Sequence, residues 1–270
     1  MIRTDCHVHS NFSSDSATPI EDMIEEALLR SYNSFYLTDH MDYDFPKNKE
    51  GLTFTFSPAE YFDKLAQLEC LYKDRISIKR GVELGLGTTP SIQKQIKALL
   101  ASYSFDLIIG STHLADGADP YHPSFWEGCS EQEAITHFFL ATLENVKANP
   151  YIHVLGHLDY ALRYAPSKGA NFQIADYQNV LDEILRFLIQ NEIALEVNTA
   201  GYKSLNRPNP DEKLIARYLS LGGSMLSIGS DAHVPTYYSY CFAKTRELLL
   251  SLGVTEYTTF EQGKPKKHPL

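Results

Sequence analysis

Residues 1–9 read Met-Ile-Arg-Thr-Asp-Cys-His-Val-His, a short, partly apolar run that ends in two histidines two positions apart. The predicted strands are residues 2–5 of this run and six similar runs, at residues 34–38, 76–83, 105–110, 152–156, 193–197 and 225–229. Most of them lack polar alternation, which is typical of parallel strands that are buried on both faces. Strands alternating with helices in this way predict a distorted TIM-like (β/α)7 barrel of the α/β class.

Helix-capping patterns mark the starts of three predicted helices, at Thr18-Pro19-Ile20-Glu21, Ser57-Pro58-Ala59-Glu60 and Ser130-Glu131-Gln132-Glu133. Further helices are predicted at residues 175–190, 211–220 and 239–251, and the polar segment 262–270 is expected to be peripheral. The chain has no internal repeat. We therefore expect residues 1–270 to form a single barrel domain.

Composition excludes several classes of protein. The 270 residues are 43% hydrophobic and 21% charged, which is enough apolar material for a sizeable core. Apolar runs are too short for a membrane helix, and Asp5 interrupts any N-terminal signal, so we expect a cytoplasmic protein without membrane partners. A net charge of -10 argues against non-specific nucleic-acid binding. The four cysteines are far apart, so a disulfide framework is not expected, and the oligomeric state stays open.

Histidines and acids follow most of the predicted strands. Because the carboxyl ends of parallel strands meet at one mouth of a barrel, we expect these side chains to form a metal site there. Nitrogen and oxygen donors without thiolate suit Zn, Mn or Fe, and nine donors exceed the roughly four that one tetrahedral ion takes. The candidate ligands are His7, His9, Asp15, His40, Glu83, His113, His157, Asp231 and His233.

These segments resemble the polymerase and histidinol phosphatase (PHP) superfamily of metal phosphoesterases over the full length of the chain. The resemblance rests on His7-Val8-His9, Thr38-Asp39-His40, Glu83 after Gly81, Gly110-Ser111-Thr112-His113, Gly156-His157 and Ser230-Asp231-Ala232-His233. Among its members, the chain is most similar to the bacterial histidinol-phosphate phosphatases. Leu158 departs from the proline that many relatives carry after the preceding histidine.

The resemblance implies three divalent ions at the mouth of the barrel. In this family pattern, His7, His9, Glu83 and Asp231 hold the first ion. Glu83, His113 and His157 hold the second ion, and Asp15, His40 and His233 hold the third. The implied reaction is hydrolysis of a small phosphate monoester, L-histidinol phosphate, to L-histidinol and phosphate in histidine biosynthesis.

Other residues are candidates for catalysis and substrate binding. Asp39 can serve as a ligand, as an orienting group or as the general acid that protonates the alkoxide leaving group. Arg163 and Arg207 are predicted to contact phosphate, since guanidinium matches phosphate geometry. Two long loops, residues 41–56 and 114–129, are expected to shape the pocket. In the second loop the predicted substrate contacts are His122, Trp126 and Glu127, with Asp116 and Asp119 as further acids for a cationic amine.

Three alternatives stay open at this point. The chain can be a phosphoesterase of the same superfamily that acts on a nucleotide, a sugar phosphate or a phosphotyrosyl protein, because specificity lies in the loops. A proofreading nuclease module is disfavoured by the acidic charge and the lack of a basic stripe. A non-catalytic metal-binding module is disfavoured by the complete set of ligands.

Overall fold

The computed structural model describes residues 1–46 and 53–270, and a curled parallel sheet forms its centre. Its seven strands are β1 (Ser34–Leu37), β2 (His40–Met41), β3 (Ser77–Gly85), β4 (Leu107–Ser111), β5 (Val154–Leu155), β6 (Ala194–Asn198) and β7 (Leu226–Gly229). Six of them pair in the order β1-β3-β4-β5-β6-β7, and β2 pairs with the carboxyl end of β3. All of these pairings are parallel.

The N-terminal segment closes the sheet into a barrel, but not at the residues that the sequence predicts. Residues 2–5 lie outside any strand, and the hydrogen bonds fall at residues 6–9 instead. On one side Cys6 N donates to Ile228 O at 3.0 Å, and on the other Thr38 N donates to Val8 O at 2.8 Å. The predicted position of this strand is therefore wrong by several residues, and the segment that takes its place lies between the ends of β1 and β7.

The carboxylate of Asp5 gives the physical reason for this shift. It accepts hydrogen bonds from Ser230 N and Ser239 N, both at 2.8 Å. The buried Asp5 side chain therefore binds backbone N–H groups that follow β7. Regular backbone pairing of the N-terminal segment begins only after this residue.

Eight helices are described in residues 1–46 and 53–270, and most lie where the sequence predicts them. Ser57 and Ser130 cap their helices as expected, and Ser130 forms the full reciprocal box with Glu133. Thr18 does not cap its helix, because its hydroxyl donates to His233 O at 2.8 Å instead. The helices are α1 (Ile20–Leu29), α2 (Pro58–Tyr72), α3 (Pro90–Ser102), α4 (Glu131–Ala148), α5 (Ile174–Gln190), α6 (Gly201–Ser204), α7 (Glu212–Ser220) and α8 (Phe242–Ser251).

The sequence prediction lacks the two-residue strand β2 and the short helix α6, and it also lacks helix α3 and a C-terminal hairpin. Helix α3 begins after Thr89-Pro90 but has Ile92 where a capping box carries an acid or glutamine. The polar tail is not a loose peripheral segment, because β8 (Glu256–Glu261) and β9 (Lys264–Pro269) form an antiparallel hairpin. Tyr36 donates its hydroxyl to Phe260 O at 2.5 Å, which fixes the hairpin against the end of the barrel that is remote from the strand exits.

None of the described helices is both long and apolar enough to cross a membrane.

Tyr61 ties helix α2 to the sheet at a fully buried position. Its hydroxyl lies 2.9 Å from Gly81 O and 3.1 Å from Leu37 O, one oxygen on each of two neighbouring strands. Because a buried hydroxyl contributes about 1–2 kcal/mol through such a bond, Tyr61→Phe should lower the free energy of unfolding by about that amount. Urea denaturation measures the change. The matched control is Tyr121→Phe, at a tyrosine that is 61% exposed, and equal losses in the two variants would contradict this account.

Candidate metal centre

Glu83 lies in β3 with its carboxylate fully buried, and five imidazoles surround it. Three of them face its Oε2 atom. The distances from that atom are 3.1 Å to His7 Nε2, 3.4 Å to His9 Nε2 and 3.0 Å to His40 Nδ1. His7 and His9 come from the closing segment and His40 from β2, so three separate elements meet at one oxygen.

The other oxygen of Glu83 faces the next two strand exits. Its Oε1 atom lies 3.0 Å from His157 Nε2 and 3.3 Å from His113 Nε2, and it accepts a hydrogen bond from Ser111 Oγ at 2.6 Å. The carboxylate is thus shared between two groups of histidines, an arrangement that suits an anion bridging two cations.

Two further carboxylates complete the cluster. Asp231 Oδ1 lies 3.3 Å from His9 Nε2 and 3.7 Å from His233 Nδ1. Asp15 Oδ2 lies 3.2 Å from His233 Nε2 and 3.7 Å from His40 Nε2. All nine predicted ligands therefore gather at the carboxyl end of the parallel strands.

Three of the histidines are oriented by residues that the sequence analysis did not identify. Glu196 Oε1 lies 2.6 Å from His7 Nδ1, Ser13 Oγ lies 3.0 Å from His9 Nδ1, and Asp42 Oδ1 lies 2.5 Å from His113 Nδ1. In each case the other ring nitrogen turns toward the cluster, as in metal sites where an outer hydrogen bond fixes the tautomer.

A signal for two of these partners is present in the sequence. Glu196 is an acid inside the apolar strand Ala194–Asn198, and a buried acid needs a specific partner. Asp42 follows His40 at the same spacing of two that His7 and His9 show, so the two side chains share a face. Asp42 joins His40 and His113 in a further group of donor atoms that lie within 4.8 Å of one another.

The donor set fits divalent metal ions. In the described part of the chain, His7 Nε2, His9 Nε2, His40 Nδ1, Glu83 Oε2 and His233 Nε2 are buried and have no hydrogen-bond partner. Buried polar atoms without partners are costly, and several aimed at one space are accounted for by a shared cation. Imidazole and carboxylate donors without thiolate favour Zn, Mn or Fe.

Charge in the cluster also favours cations. Burial opposes protonation of His113, but the Asp42 and Glu83 carboxylates outweigh it and raise the pKa of the imidazole to about 10. Burial disfavours the charged carboxylate of Glu83, yet His7, His40 and His113 hold its pKa well below its usual range. The buried carboxylates of Asp42 and Glu83 are therefore stabilised by positive charge, which protons or metal ions can supply.

Asp39 lies beside the cluster but is turned away from it. Its fully buried carboxylate accepts bonds from Ser10 N at 2.7 Å, Ser10 Oγ at 2.8 Å and Ser13 Oγ at 2.6 Å. Ser13 in turn contacts His9 and His40 N. Of the three roles considered for Asp39, this geometry supports the orienting one, since both oxygens are occupied by the loop.

The two predicted phosphate-binding arginines differ in their surroundings. Arg163 Nη1 lies 3.9 Å from Asp231 Oδ2, so this guanidinium borders the metal centre, and its Nη2 donates to Asn209 Oδ1 at 3.2 Å. Arg207 is held by Asp159 at 2.9 Å and Asp211 at 3.2 Å. Within residues 1–46 and 53–270, no candidate ligand pairs with Arg207, so the structure brings Arg163 to the centre more directly.

The loop 114–129 reaches the centre through residues other than the predicted contacts. His122 and Glu127 are exposed, and Trp126 donates its Nε1 hydrogen to Pro120 O at 2.8 Å. Among the described residues, none of these three side chains forms a hydrogen bond, an ion pair or a ring contact with a candidate ligand. Asp119 is half-buried, and desolvation raises the pKa of its carboxyl above the usual range while the charge of His113 lowers it.

An aromatic strip continues from the ligands to this loop. The Tyr160 ring lies 5.1 Å from His157 and 5.5 Å from His113 between centroids. Tyr164 contacts Tyr160 at 5.1 Å and Tyr121 at 5.4 Å. The strip and Asp119 together offer a flat apolar surface and an anionic group on the same side of the centre.

The other long loop, 41–56, is described at its two ends. Phe54 lies edge-on to the His40 ring at 5.6 Å, and its carbonyl accepts a bond from Asp42 N at 2.7 Å. The predicted role of this loop in shaping the pocket falls partly on residues 47–52, which lie outside the described residues.

Comparison with known proteins agrees with this geometry. The model of the PHP domain family matches residues 5–200. The chain is 30% identical to a histidinol-phosphatase of Lactococcus lactis over 269 residues, covering 99% of this chain and 98% of that protein. It is 33% identical to a probable histidinol-phosphatase of Thermotoga maritima over 235 residues, or 85% and 83% of the two chains.

A solved structure is similar over the same extent. The crystal structure of histidinol phosphate phosphatase from Lactococcus lactis, complexed with zinc, L-histidinol and phosphate, superposes with a TM-score of 0.85. It covers 98% of each chain at 30% identity. The likeness confirms the predicted TIM-like α/β fold.

Two substitutions should separate a ligand from a residue that only orients one. Glu83→Gln removes the shared anion, so we expect metal affinity to fall by more than about 100-fold, beyond the roughly 10–100-fold typical of an outer partner. For Glu196→Gln the loss of metal affinity should stay within that range of roughly 10–100-fold, since Glu196 acts through His7. Metal content after dialysis against graded chelator, read by atomic emission, measures both.

Glu144→Gln, at an exposed acid on α4, is the matched control and should keep the wild-type metal content. If Glu83→Gln retained its metal as well as this control does, Glu83 would not be a ligand.

Proposed function

Since this chain belongs to the PHP domain family, we propose that it is a metal-dependent phosphomonoesterase that hydrolyses L-histidinol phosphate to L-histidinol and phosphate, a step of histidine biosynthesis. The full-length likeness to the Lactococcus lactis enzyme, whose structure contains zinc, L-histidinol and phosphate, carries this proposal. The cluster around Glu83 supports it, because this cluster offers the donor set that such a reaction needs.

The proposal includes three divalent ions, of Zn, Mn or Fe. Four groups of donor atoms have all members within 4.8 Å of one another, and the three that contain only candidate ligands support that number. These three groups are His7 with His9 and Glu83, Glu83 with His113 and His157, and His9 with His40 and His233. In our assignment Asp231 joins the first group, and Asp15 replaces His9 in the third. Short distances from Asp231 to His9 and from Asp15 to His233 support these additions.

Bound divalent ions supply charge neutralisation for the phosphate and lower the pKa of a water that attacks phosphorus. The chain's own side chains place the substrate for this step. We assign phosphate contact to Arg163, because it lies beside Asp231 and its buried Nε atom has no partner among the described residues. Arg207 follows Arg163 as a more distant phosphate contact, held through Asp159. Asp39 anchors the loop that carries Ser10 and Ser13, so we assign it no proton transfer.

We assign binding of the histidinol part of the substrate to the side of the metal centre where Asp119 lies. Histidinol carries a cationic amine and a flat imidazole. Asp119 offers a half-buried carboxylate near His113, whereas Asp116 is 80% exposed in its side chain and paired with His137, and Glu127 is exposed. The Tyr160 ring provides a surface on which an imidazole can pack. We therefore assign amine recognition to Asp119 rather than to Glu127.

Phosphate release by metal-reconstituted protein tests the proposed reaction. We expect a strong preference for L-histidinol phosphate over nucleotide, sugar and tyrosyl phosphates. His113→Ala should lose more than about 100-fold in kcat/KM, since loss of a ligand exceeds the effect of losing its outer partner. His137→Ala, at an exposed histidine on α4, should stay near the wild type. Weak, equal turnover of the whole panel would overturn the substrate, and metal-loaded protein with no turnover would favour a binding module.

A substitution at Asp119 tests the recognition of the amine. Asp119→Asn should lower kcat/KM for L-histidinol phosphate about tenfold, because a hydrogen bond to a charged partner is weakened. A neutral aryl phosphate has no amine to recognise, and its turnover should not change. Glu127→Gln is the matched control and should leave both substrates unaffected. A selective loss in Glu127→Gln but not in Asp119→Asn would show that the assignment is reversed.

A further inference from the structure

Lys203 lies at the rim of the same mouth, in the short helix α6 that follows strand β6. Its ammonium group sits over the Tyr237 ring, with Nζ 3.8 Å from the centroid, and 6.0 Å from the centroid of Tyr240. Tyr237 ends a short 3-10 turn, Pro235–Tyr237, which begins two residues after His233. The Lys203 ammonium group is therefore held by the loop that carries the candidate ligands Asp231 and His233.

Contacts at the strand exits keep these two loops together. Thr199 N donates to Gly229 O at 2.8 Å, and Asn198 Nδ2 lies 3.4 Å from Asp231 Oδ2. The loop that carries Lys203 and the loop that carries Asp231 thus leave neighbouring strands side by side. Their relative position is set by buried hydrogen bonds, since Asn198 and Thr199 are fully buried.

The electrostatic surroundings of Lys203 include the metal centre. Desolvation lowers the pKa of its ammonium group, while the Asp231 carboxylate raises it and the Arg163 guanidinium lowers it. The ammonium is accordingly within electrostatic range of a candidate ligand and of the arginine assigned to phosphate.

Unlike the two arginines of the mouth, Lys203 has no carboxylate within 4.0 Å among the described residues. Arg163 borders Asp231 and Arg207 is paired with Asp159, whereas Lys203 has the two tyrosine rings. A cation–π contact at an exposed site is worth only about 0.5–1 kcal/mol, which is less than a charge-assisted bond to a phosphate oxygen. An ammonium on a flexible stem can exchange the first for the second.

We propose that Lys203 is a further phosphate-binding residue. Its ammonium group moves off the Tyr237 ring and pairs with the phosphate dianion of the substrate, beside Arg163. The proposal rests on the phosphomonoesterase function proposed above. It assigns Lys203 to binding of the dianion rather than to the bond-breaking step. Loss of its charge should therefore act on KM and on inhibition by inorganic phosphate, with little effect on kcat.

The chain offers a matched control in Lys244 on α8. Its Nζ atom lies 4.4 Å from the Tyr202 centroid and donates to Asn206 Oδ1 at 3.2 Å. It is an exposed lysine over a tyrosine, like Lys203. A purely structural contribution of a cation–π contact should therefore appear in both Lys203→Met and Lys244→Met.

The experiment uses metal-loaded wild type, Lys203→Met, Lys203→Arg and Lys244→Met, with metal content and melting temperature recorded for each. For Lys203→Met we expect KM for L-histidinol phosphate and the inhibition constant of inorganic phosphate to rise about tenfold. Lys203→Arg should recover most of that loss, because it restores the positive charge. Lys244→Met should match the wild type in both constants.

Unchanged phosphate inhibition in Lys203→Met would overturn the proposal. A loss explained by lower metal content or melting temperature would do the same, since it would show a structural role. If wild type itself fails to hydrolyse L-histidinol phosphate, the proposed function fails on its own. The role of Lys203 is then decided by calorimetric binding of inorganic phosphate to the metal-loaded wild type and Lys203→Met proteins.

Discussion

The buried carboxylate of Glu83 is the interaction on which the rest of the site depends. One anion lies between the imidazoles of His7, His9 and His40 on one oxygen and those of His113 and His157 on the other. A buried anion among buried imidazoles is stable only if cations balance it, whether these are protons or metals. The barrel brings these side chains from five different strand exits to a single point.

Closure of the barrel and assembly of the site use the same backbone. His9 N donates to Ala232 O at 2.9 Å and Asp231 N donates to His7 O at 2.8 Å, so the bonds that join the N-terminus to the last strand also position three candidate ligands. Gly229 allows this approach, because a Cβ atom there would lie 2.3 Å from His7 Cβ and 2.8 Å from Glu196 Oε1. Fold and function are thus constrained by one set of contacts.

The gathering of the candidate ligands could be predicted from the sequence because most of them lie at the carboxyl end of an apolar strand, and parallel strands bring these ends to one place. The strand at residues 2–5 was misplaced because Asp5 binds the backbone of Ser230, which no local pattern reveals. Glu196 and Asp42 were missed because the histidines that they orient, His7 and His113, are distant from them in sequence. The substrate side of the mouth was the least predictable, since loop composition does not show that Asp119 is half-buried while Glu127 is exposed.

The most direct test of this account is anomalous diffraction from crystals of the metal-loaded protein, recorded on both sides of the metal absorption edge. The account predicts separate peaks at the two oxygens of Glu83, each about 2.0–2.2 Å from a carboxylate oxygen and similarly close to the facing histidine nitrogens. A single peak held by the histidines with Glu83 out of reach, or no peak in the cluster, would contradict the central role of this carboxylate.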